Sequence, residues 1–385
     1  MIAPHVPITL SCLFVVVSSK GYSLQARNRG IEPAEICRYG FGQRTGDKWI
    51  YRSRLWQKTP KEELNTMAKL KLTIAFDKYD YLQPLRDGQI EAQGLDLNVI
   101  TVESGIRHER MFHYGEYDAC EFSMSSYLVA RGQDIDWLHA IPFFPRRMWG
   151  HKFCFIKAGS GIKKPADLKG GRIGLRSYEN TLALVSKGML MNSYDLGVGD
   201  VTWVIVNKEH VGFKLPPHIK VEFVEGNRKL EDLLVEGKVD AEVEPDLPQR
   251  WIRGDGTVER LFPEFENEER AYYKKTGIFP IMHPVVIKKE ILDSDPWVAT
   301  SLYEALLASR KVYNEFMEQP HRLSFAWGRS YLEEERKFFG KDPFYQGLKE
   351  NYNDVENLIK FASQQGMLGR DLSVEELFTE NTRST

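Results

Sequence analysis

The sequence has no apolar run of the ~20 residues that a membrane-spanning helix needs. Its longest, Ile8 to Val17, has only the length of a signal peptide. No Lys or Arg precedes that run and no clear small-x-small cleavage site follows it, so a cytoplasmic protein is expected; an exported one is the alternative if this run is a working signal. Charge of one sign is also lacking. A formal net charge of −2 argues against nucleic-acid and membrane-surface binding, which usually leave a basic excess. Cysteine is scarce: Cys12, Cys37, Cys120 and Cys154 form no C-x-x-C pair and no zinc-like spacing, which excludes a disulfide framework. Cys120 and Cys154 fall in apolar runs and read as buried reduced thiols. The chain has no G-x-S-x-G, no H-E-x-x-H, no P-loop and no G-x-G-x-x-G. Ser160-Gly-Ile-Lys163 fits S-x-x-K but lacks that motif's partners. His108 and His113 stand ~140° apart on a helix, a poor metal pair.

What is present is ordinary globular composition, 42% apolar and 28% charged, over 385 residues, enough for two domains with real cores. Residues 1–66 differ from the rest, with ten Lys and Arg against five Asp and Glu and no sustained period. They read as a disordered extension, with Met67 as the natural start of the folded chain and a transit peptide as the alternative.

From Met67 strand and helix signals alternate, the signature of an α/β fold. Leu70–Phe76, Gly94–Val102, Tyr117–Phe122, Leu138–Phe144 and Lys152–Ile156 read as strands, and 105–116 as a helix. Ser125 or Ser126 is placed to cap a brief helix through Ala130. A second unit follows, with a strand before Leu175, a helix from about Tyr178, and strands at Val201–Val206, Ile219–Val224 and Val239–Val243. Tyr272 to His283 reads as a return crossing, Trp297–Met317 as a long one-sided helix, and Asn353 as the cap of a last helix. The expected architecture is two-lobed, with 67–150 plus 277–385 as a discontinuous first lobe and 151–276 inserted as the second. Two lobes joined by crossing strands put a cleft between them, where strand ends and helix N-termini face a ligand.

Several strings carry a resemblance: Asp118-Ala-Cys-Glu-Phe-Ser-Met-Ser-Ser-Tyr127, Ala140-Ile-Pro-Phe-Phe-Pro-Arg-Arg147, Thr276-Gly-Ile-Phe-Pro-Ile-Met-His283, Pro296-Trp-Val-Ala-Thr-Ser-Leu302 and Glu375-Glu-Leu-Phe378. In order, from about residue 69 to 380, they resemble the 4,5-dihydroxyphthalate decarboxylases. The segment Pro165–Gly174 is equally similar to solute-binding receptors for sulfonates, nitrate and thiamine precursors. The resemblance implies a type II periplasmic-binding-protein-like clamshell. It implies either a decarboxylase of a hydroxylated aromatic carboxylate or, as the alternative, the receptor of an importer. There are departures: Arg146 stands where the family has serine, Gly150 where an arginine precedes the histidine, and Arg176-Ser-Tyr-Glu-Asn-Thr181 replaces Pro-Glu-Tyr-Gln. Arg147, His151, Tyr178, Thr181 and His283 match.

Decarboxylation needs a cation to hold carboxylates, an acid to protonate the ring carbon and a dry site. Arg147 is the first candidate for the cation, with Arg176 and Arg250 behind it. His151 is the first candidate acid and His283 the second, because imidazole titrates nearest neutrality. Ser123, Ser125 and Ser126 offer hydroxyl donors, or simply cap a helix. Glu121, Glu244 and Asp246 lie at strand ends, as hydroxyl or metal ligands or as plain loop acids. No metal or organic cofactor is demanded, although the acids leave room for a divalent ion. The expected partner is a small anionic aromatic substrate, with no nucleic acid or membrane, and a homo-oligomer is compatible.

Overall fold

The computed structural model describes residues 68–385 and, before them, only the backbone of four strands. These are β1 (Phe14–Ser18), β2 (Gly21–Leu24), β3 (Phe41–Thr45) and β4 (Lys48–Arg52), an antiparallel sheet in the order β2-β1-β4-β3. Backbone pairing therefore occurs within the stretch read as aperiodic. The rest of that stretch, including Cys12, Cys37 and most of Ile8–Val17, lies outside the described residues. Lys69–Thr385 is a separate compact unit.

In that unit the strands are β5 (Leu70–Phe76), β6 (Leu95–Thr101), β7 (Ala119–Glu121), β8 (Leu138–Arg147), β9 (Cys154–Lys157) and β10 (Arg172–Leu175). Then come β11 (Thr202–Ile205), β12 (Lys220–Phe223), β13 (Ala241–Val243), β14 (Val258–Arg260) and β15 (Ile281–Lys288). The helices are α1 (Gln83–Arg86), α2 (Ser104–Tyr114), α3 (Met124–Arg131), α4 (Thr181–Ser193), α5 (Leu230–Val235) and α6 (Gln249–Arg253). They continue with α7 (Phe265–Thr276), α8 (Lys289–Ser294), α9 (Trp297–Met317), α10 (Gly328–Phe339) and α11 (Leu348–Gln364).

One sheet has the order β6-β5-β7-β15-β8, the other β12-β11-β10-β13-β9-β14. In the first, β5 runs parallel to β6 and β7, while β15 runs antiparallel to β7 and β8. The short β7 lies inside the sheet with all three residues buried, so its C-terminal residue, Glu121, is carried into the interior. β8 contains Pro142 and Pro145, tolerable because it is an edge strand. Its outer side is covered by the chain's end, through Thr379 N donating to Ala140 O. Two crossings join the sheets, from β8 to β9 and from α7 to β15. They run side by side, with Met148 N donating to Pro280 O at 3.1 Å and Trp149 stacked on Phe279.

The largest apolar core is continuous between the sheets, holding Cys120, Tyr127 and Phe144 with Leu175, Trp203 and Leu358. Through it α11 packs on α4, where Gly188 gives the Phe361 ring its room and Gln365 Nε2 donates to Leu184 O. Cys120 and Cys154 are buried free thiols, pushed up by burial, Cys154 to about 12.

Local expectations fail in four places. Ser123, not Ser125 or Ser126, caps α3, because its oxygen meets the N–H of Ser126. Asn180 caps α4, so that helix starts later than Tyr178. Asn353 lies inside α11, which begins five residues earlier at Leu348. The return crossing is preceded by α7, a polar helix whose few buried residues include Glu269 and Tyr272.

Candidate functional site

The C-terminal ends of parallel strands in an open α/β sheet leave a crevice. Here β5, β7 and β8 end together, and β15 enters beside them. The register sets His283 across from Arg146 and Val285 across from Glu121, with shifts in pairing on both sides of His283. Such bulges re-aim side chains.

Glu121 is the centre of this place. Its side chain is fully enclosed and so is that of Arg107 from α2, which it meets at 2.8 Å. Oε1 of Glu121 accepts from Nδ1 of His283 and from the Tyr79 hydroxyl at 2.6 Å. Oε2 accepts from Asp77 N at 3.0 Å as well as from Arg107. The His108 ring crosses the His283 ring edge-on, centroids 4.9 Å apart, and meets His210 from the other sheet's side at 6.3 Å. Arg146 touches Ser104 Oγ at a long 3.5 Å. Arg146 and Tyr79 also line a cavity of about 770 Å³ beside α9 and α10.

Burial pushes Glu121 up, but Arg107, His283 and the hydrogen bonds outweigh it, and the carboxyl is held below its ordinary range. It stays anionic. Burial lowers His283 against the pull of Glu121, with Arg146 and Arg107 adding to the lowering. His108 is lowered well below the ordinary imidazole value by burial first, then by His283 and Arg107. The pair is therefore a carboxylate accepting from a neutral imidazole, which fixes Nδ1–H and turns Nε2 away from Glu121. Among the described residues no side chain takes that Nε2.

A second cluster adjoins the first, two residues along the chain from Glu121. Ser123 Oγ lies 3.1 Å from Ser125 Oγ and 3.0 Å from Thr181 Oγ1, so the N-termini of α3 and α4 meet through hydroxyls. Ser126 Oγ donates to Glu179 Oε1 at 3.2 Å, and His210 N donates to the same oxygen. Burial and neighbouring Glu209 push Glu179 up to about 8 against these donors. Lys187 is lowered well below the ordinary lysine value by burial, and donates to Tyr178 O at 2.6 Å.

The candidates read from sequence are thus divided. His283 stands in the first cluster; Ser123, Ser125, Ser126 and Thr181 make the second. Arg147 is built into the fold: its enclosed guanidinium pairs with Asp354 at 3.0 Å and donates to Phe279 O, Tyr345 O and Asn351. His151 is enclosed likewise. It lies buried among Tyr194, Phe262 and Tyr272, bonded to the Tyr194 hydroxyl at 3.1 Å and lowered to about 4 by burial. Tyr178 is buried with its hydroxyl on Gln365 O. Arg176 is taken up by Glu244 and Asp246, each at 2.6 Å, and Arg250 by Asp232 and Asp255.

Arg107, Arg146, Tyr79 and His210, which surround this cluster, were not among the candidates read from the sequence, and His108 was weighed only as a metal ligand. For Arg146 a signal existed, since it stands where the resemblance implies serine. Among the described residues no group of three or more His, Cys, Asp or Glu is disposed to hold a metal, and no helix is long and apolar enough to cross a membrane.

Comparison with known proteins finds two decarboxylases. A 4,5-dihydroxyphthalate decarboxylase of Comamonas testosteroni is 29% identical over 320 residues, 81% of this chain and 97% of that protein. One of Pseudomonas putida is 32% identical over 214 residues, 54% of this chain and 83% of that protein. No family model matches. Solved structures similar to the chain include the periplasmic aliphatic sulphonate-binding protein SsuA of Escherichia coli, at 11% identity and a TM-score of 0.49, covering 80% of this chain and 91% of that one. They also include the alkanesulfonate-binding protein SsuA of Xanthomonas axonopodis pv. citri, at 13% and 0.47, covering 81% and 99%.

Proposed function

Because the chain belongs to the 4,5-dihydroxyphthalate decarboxylase family, we propose that it removes carbon dioxide from a hydroxylated aromatic carboxylate of that kind, with His283 as the proton donor. The observation that carries the assignment of His283 is its pairing with the enclosed Glu121 carboxylate, which leaves Nε2 for a ligand.

The chemistry follows from that pair. In 4,5-dihydroxyphthalate each carboxylate-bearing carbon has a hydroxyl para to it. Electron release from that hydroxyl lets the ring carbon accept a proton from Nε2 of a protonated His283. The C–C bond to the carboxylate then breaks, its electron pair restores the aromatic ring, and carbon dioxide leaves. One proton is consumed and one carbon dioxide released. A carboxylate behind the imidazole stabilises the imidazolium that must form before the transfer, as in other acid–base pairs of this type. Burial of the cluster keeps water from solvating the leaving carboxylate. The hydroxyls at the joined ends of α3 and α4 supply neutral donors on the side of the second sheet.

The test is direct. Protein incubated with 4,5-dihydroxyphthalate in heavy water should release carbon dioxide and give a dihydroxybenzoate deuterated at the vacated carbon. His283→Gln should keep most of the binding and lose turnover by ~10²–10⁴-fold. Tight binding without carbon dioxide from any hydroxylated phthalate or benzoate would overturn the enzyme reading in favour of a receptor.

A further inference from the structure

We propose that Arg146 grips the carboxylate that the substrate keeps, and so selects ortho-dicarboxylates over monocarboxylates; this deepens, and rests on, the decarboxylase reading above. Charge sets Arg146 apart. Arg107 is matched by Glu121, Arg147 by Asp354, Arg176 by Glu244 and Arg310 by Asp342. Arg146 is half-buried, yet among the described residues no carboxylate lies within the 4.0 Å of an ion pair, and its one hydrogen bond is the long contact to Ser104. Asp77, which shares Ser104 with Arg146, is held by Lys78 N at 2.7 Å and Ser104 Oγ at 3.1 Å. Half-enclosed charge is normally paired. Its charge instead reaches the His283 and His108 rings, lowering both, while the cavity of about 770 Å³ that it lines with Tyr79 does not include His283 in its lining.

Of the two carboxylates, a cation suits the one that stays. Decarboxylation drains negative charge from the departing carboxylate into the ring, so a cation held against that group would stabilise the starting state more than the transition state. The retained carboxylate keeps its charge throughout. A planar guanidinium can fork onto it without opposing the reaction. Arg146 stands across the β8–β15 ladder from His283, which places the anchor and the acid on neighbouring strands. A serine at this position would offer one hydroxyl and no charge.

The experiment is calorimetric titration of the full chain with 4,5-dihydroxyphthalate and with 3,4-dihydroxybenzoate, for wild type, Arg146→Ser and Arg146→Lys, beside steady-state turnover. Arg146→Ser should weaken the dicarboxylate by about ten- to a hundredfold, the scale of a lost charge-assisted contact. KM should rise with it, kcat should fall far less, and the monocarboxylate should shift by less than about threefold. Arg146→Lys should fall between. Equal weakening of both acids, or none, overturns the anchor while leaving the decarboxylase reading intact. Wild-type binding with this contrast but without carbon dioxide release supports the anchor and overturns the enzyme. A wild-type chain that does not bind the dicarboxylate overturns both.

Discussion

Replacing Glu121 by glutamine is the sharpest perturbation the site offers. All four groups around the carboxylate are donors: His283 Nδ1–H and Tyr79 O–H on one oxygen, Arg107 and Asp77 N–H on the other. An amide has one accepting end. Its NH₂ must turn toward His283 and Tyr79, which can reverse their roles, because Arg107 and a backbone N–H cannot. His283 then takes the other neutral tautomer and loses the carboxylate that would stabilise its protonated form. Arg107, with no exposed side-chain surface, is left buried without a counter-ion. Breaking a buried pair from one side costs about 3–5 kcal/mol. At roughly 2 °C per kcal/mol for a unit of this size, Tm should drop by about 6–10 °C. Turnover should fall by roughly 10²–10⁴-fold, the range for losing an imidazole's orienting carboxylate. Melting by circular dichroism and carbon dioxide release below the lowered Tm measure the two effects separately. If the pair acts as a unit, Glu121→Gln in the His283→Gln background should cost little further activity. Wild-type kcat in a variant whose Tm has dropped would refute the argument, since Glu121 would then be scaffold alone.

Arg147→Met should lower stability by about 3–5 kcal/mol, seen as a lower urea midpoint, because Asp354 loses its buried partner; preference for dicarboxylate over monocarboxylate should survive. Glu179, raised to about 8, keeps its proton in the folded chain at pH values where the unfolded chain has lost it. Its contribution is full below the ordinary carboxylate range and is lost as pH rises through about 8, so the fall in urea midpoint from pH 5.5 to 8.5 should shrink in Glu179→Gln. An unchanged fall would mean that Glu179 is ionised when folded. Gly188→Ala should destabilise by about 1–3 kcal/mol, because a Cβ there overlaps the Phe361 ring; Phe361→Leu in the same chain should recover part of the lost Tm.

Much of the scaffold was readable from alternation. β5 and α9 fall at the residues where the sequence puts them, since each has one clearly apolar face. The site was harder. In Ile141–Pro145 both faces of β8 are apolar and buried, so the pattern cannot say which of two successive arginines turns inward. Arg147 is enclosed and paired with Asp354, whereas Arg146 is half-buried and has no ion-pair partner among the described residues. α2 misleads for the opposite reason. It buries Arg107 and His108 and leaves Ile106 exposed, because the first turns of its inner face meet Glu121 and His283, and only Met111 and Phe112 further along join the apolar core. That inversion is set by long-range pairing, which no local window contains. His283 was visible through its motif, and its partner Glu121 through its place at a strand end, but their contact joins residues 162 apart in sequence.

Two adjacent chain crossings between lobes behave as a single flexure, about which the halves can still rotate. The C-terminal helix α11 is a third fastening, seated on α4 by Gly188 against Phe361 and by Gln365 on Leu184 O. A body tied along one line swings, and a body tied at a further point does not. With this third tie in place, the fold favours small local movements over a wide opening of the two halves.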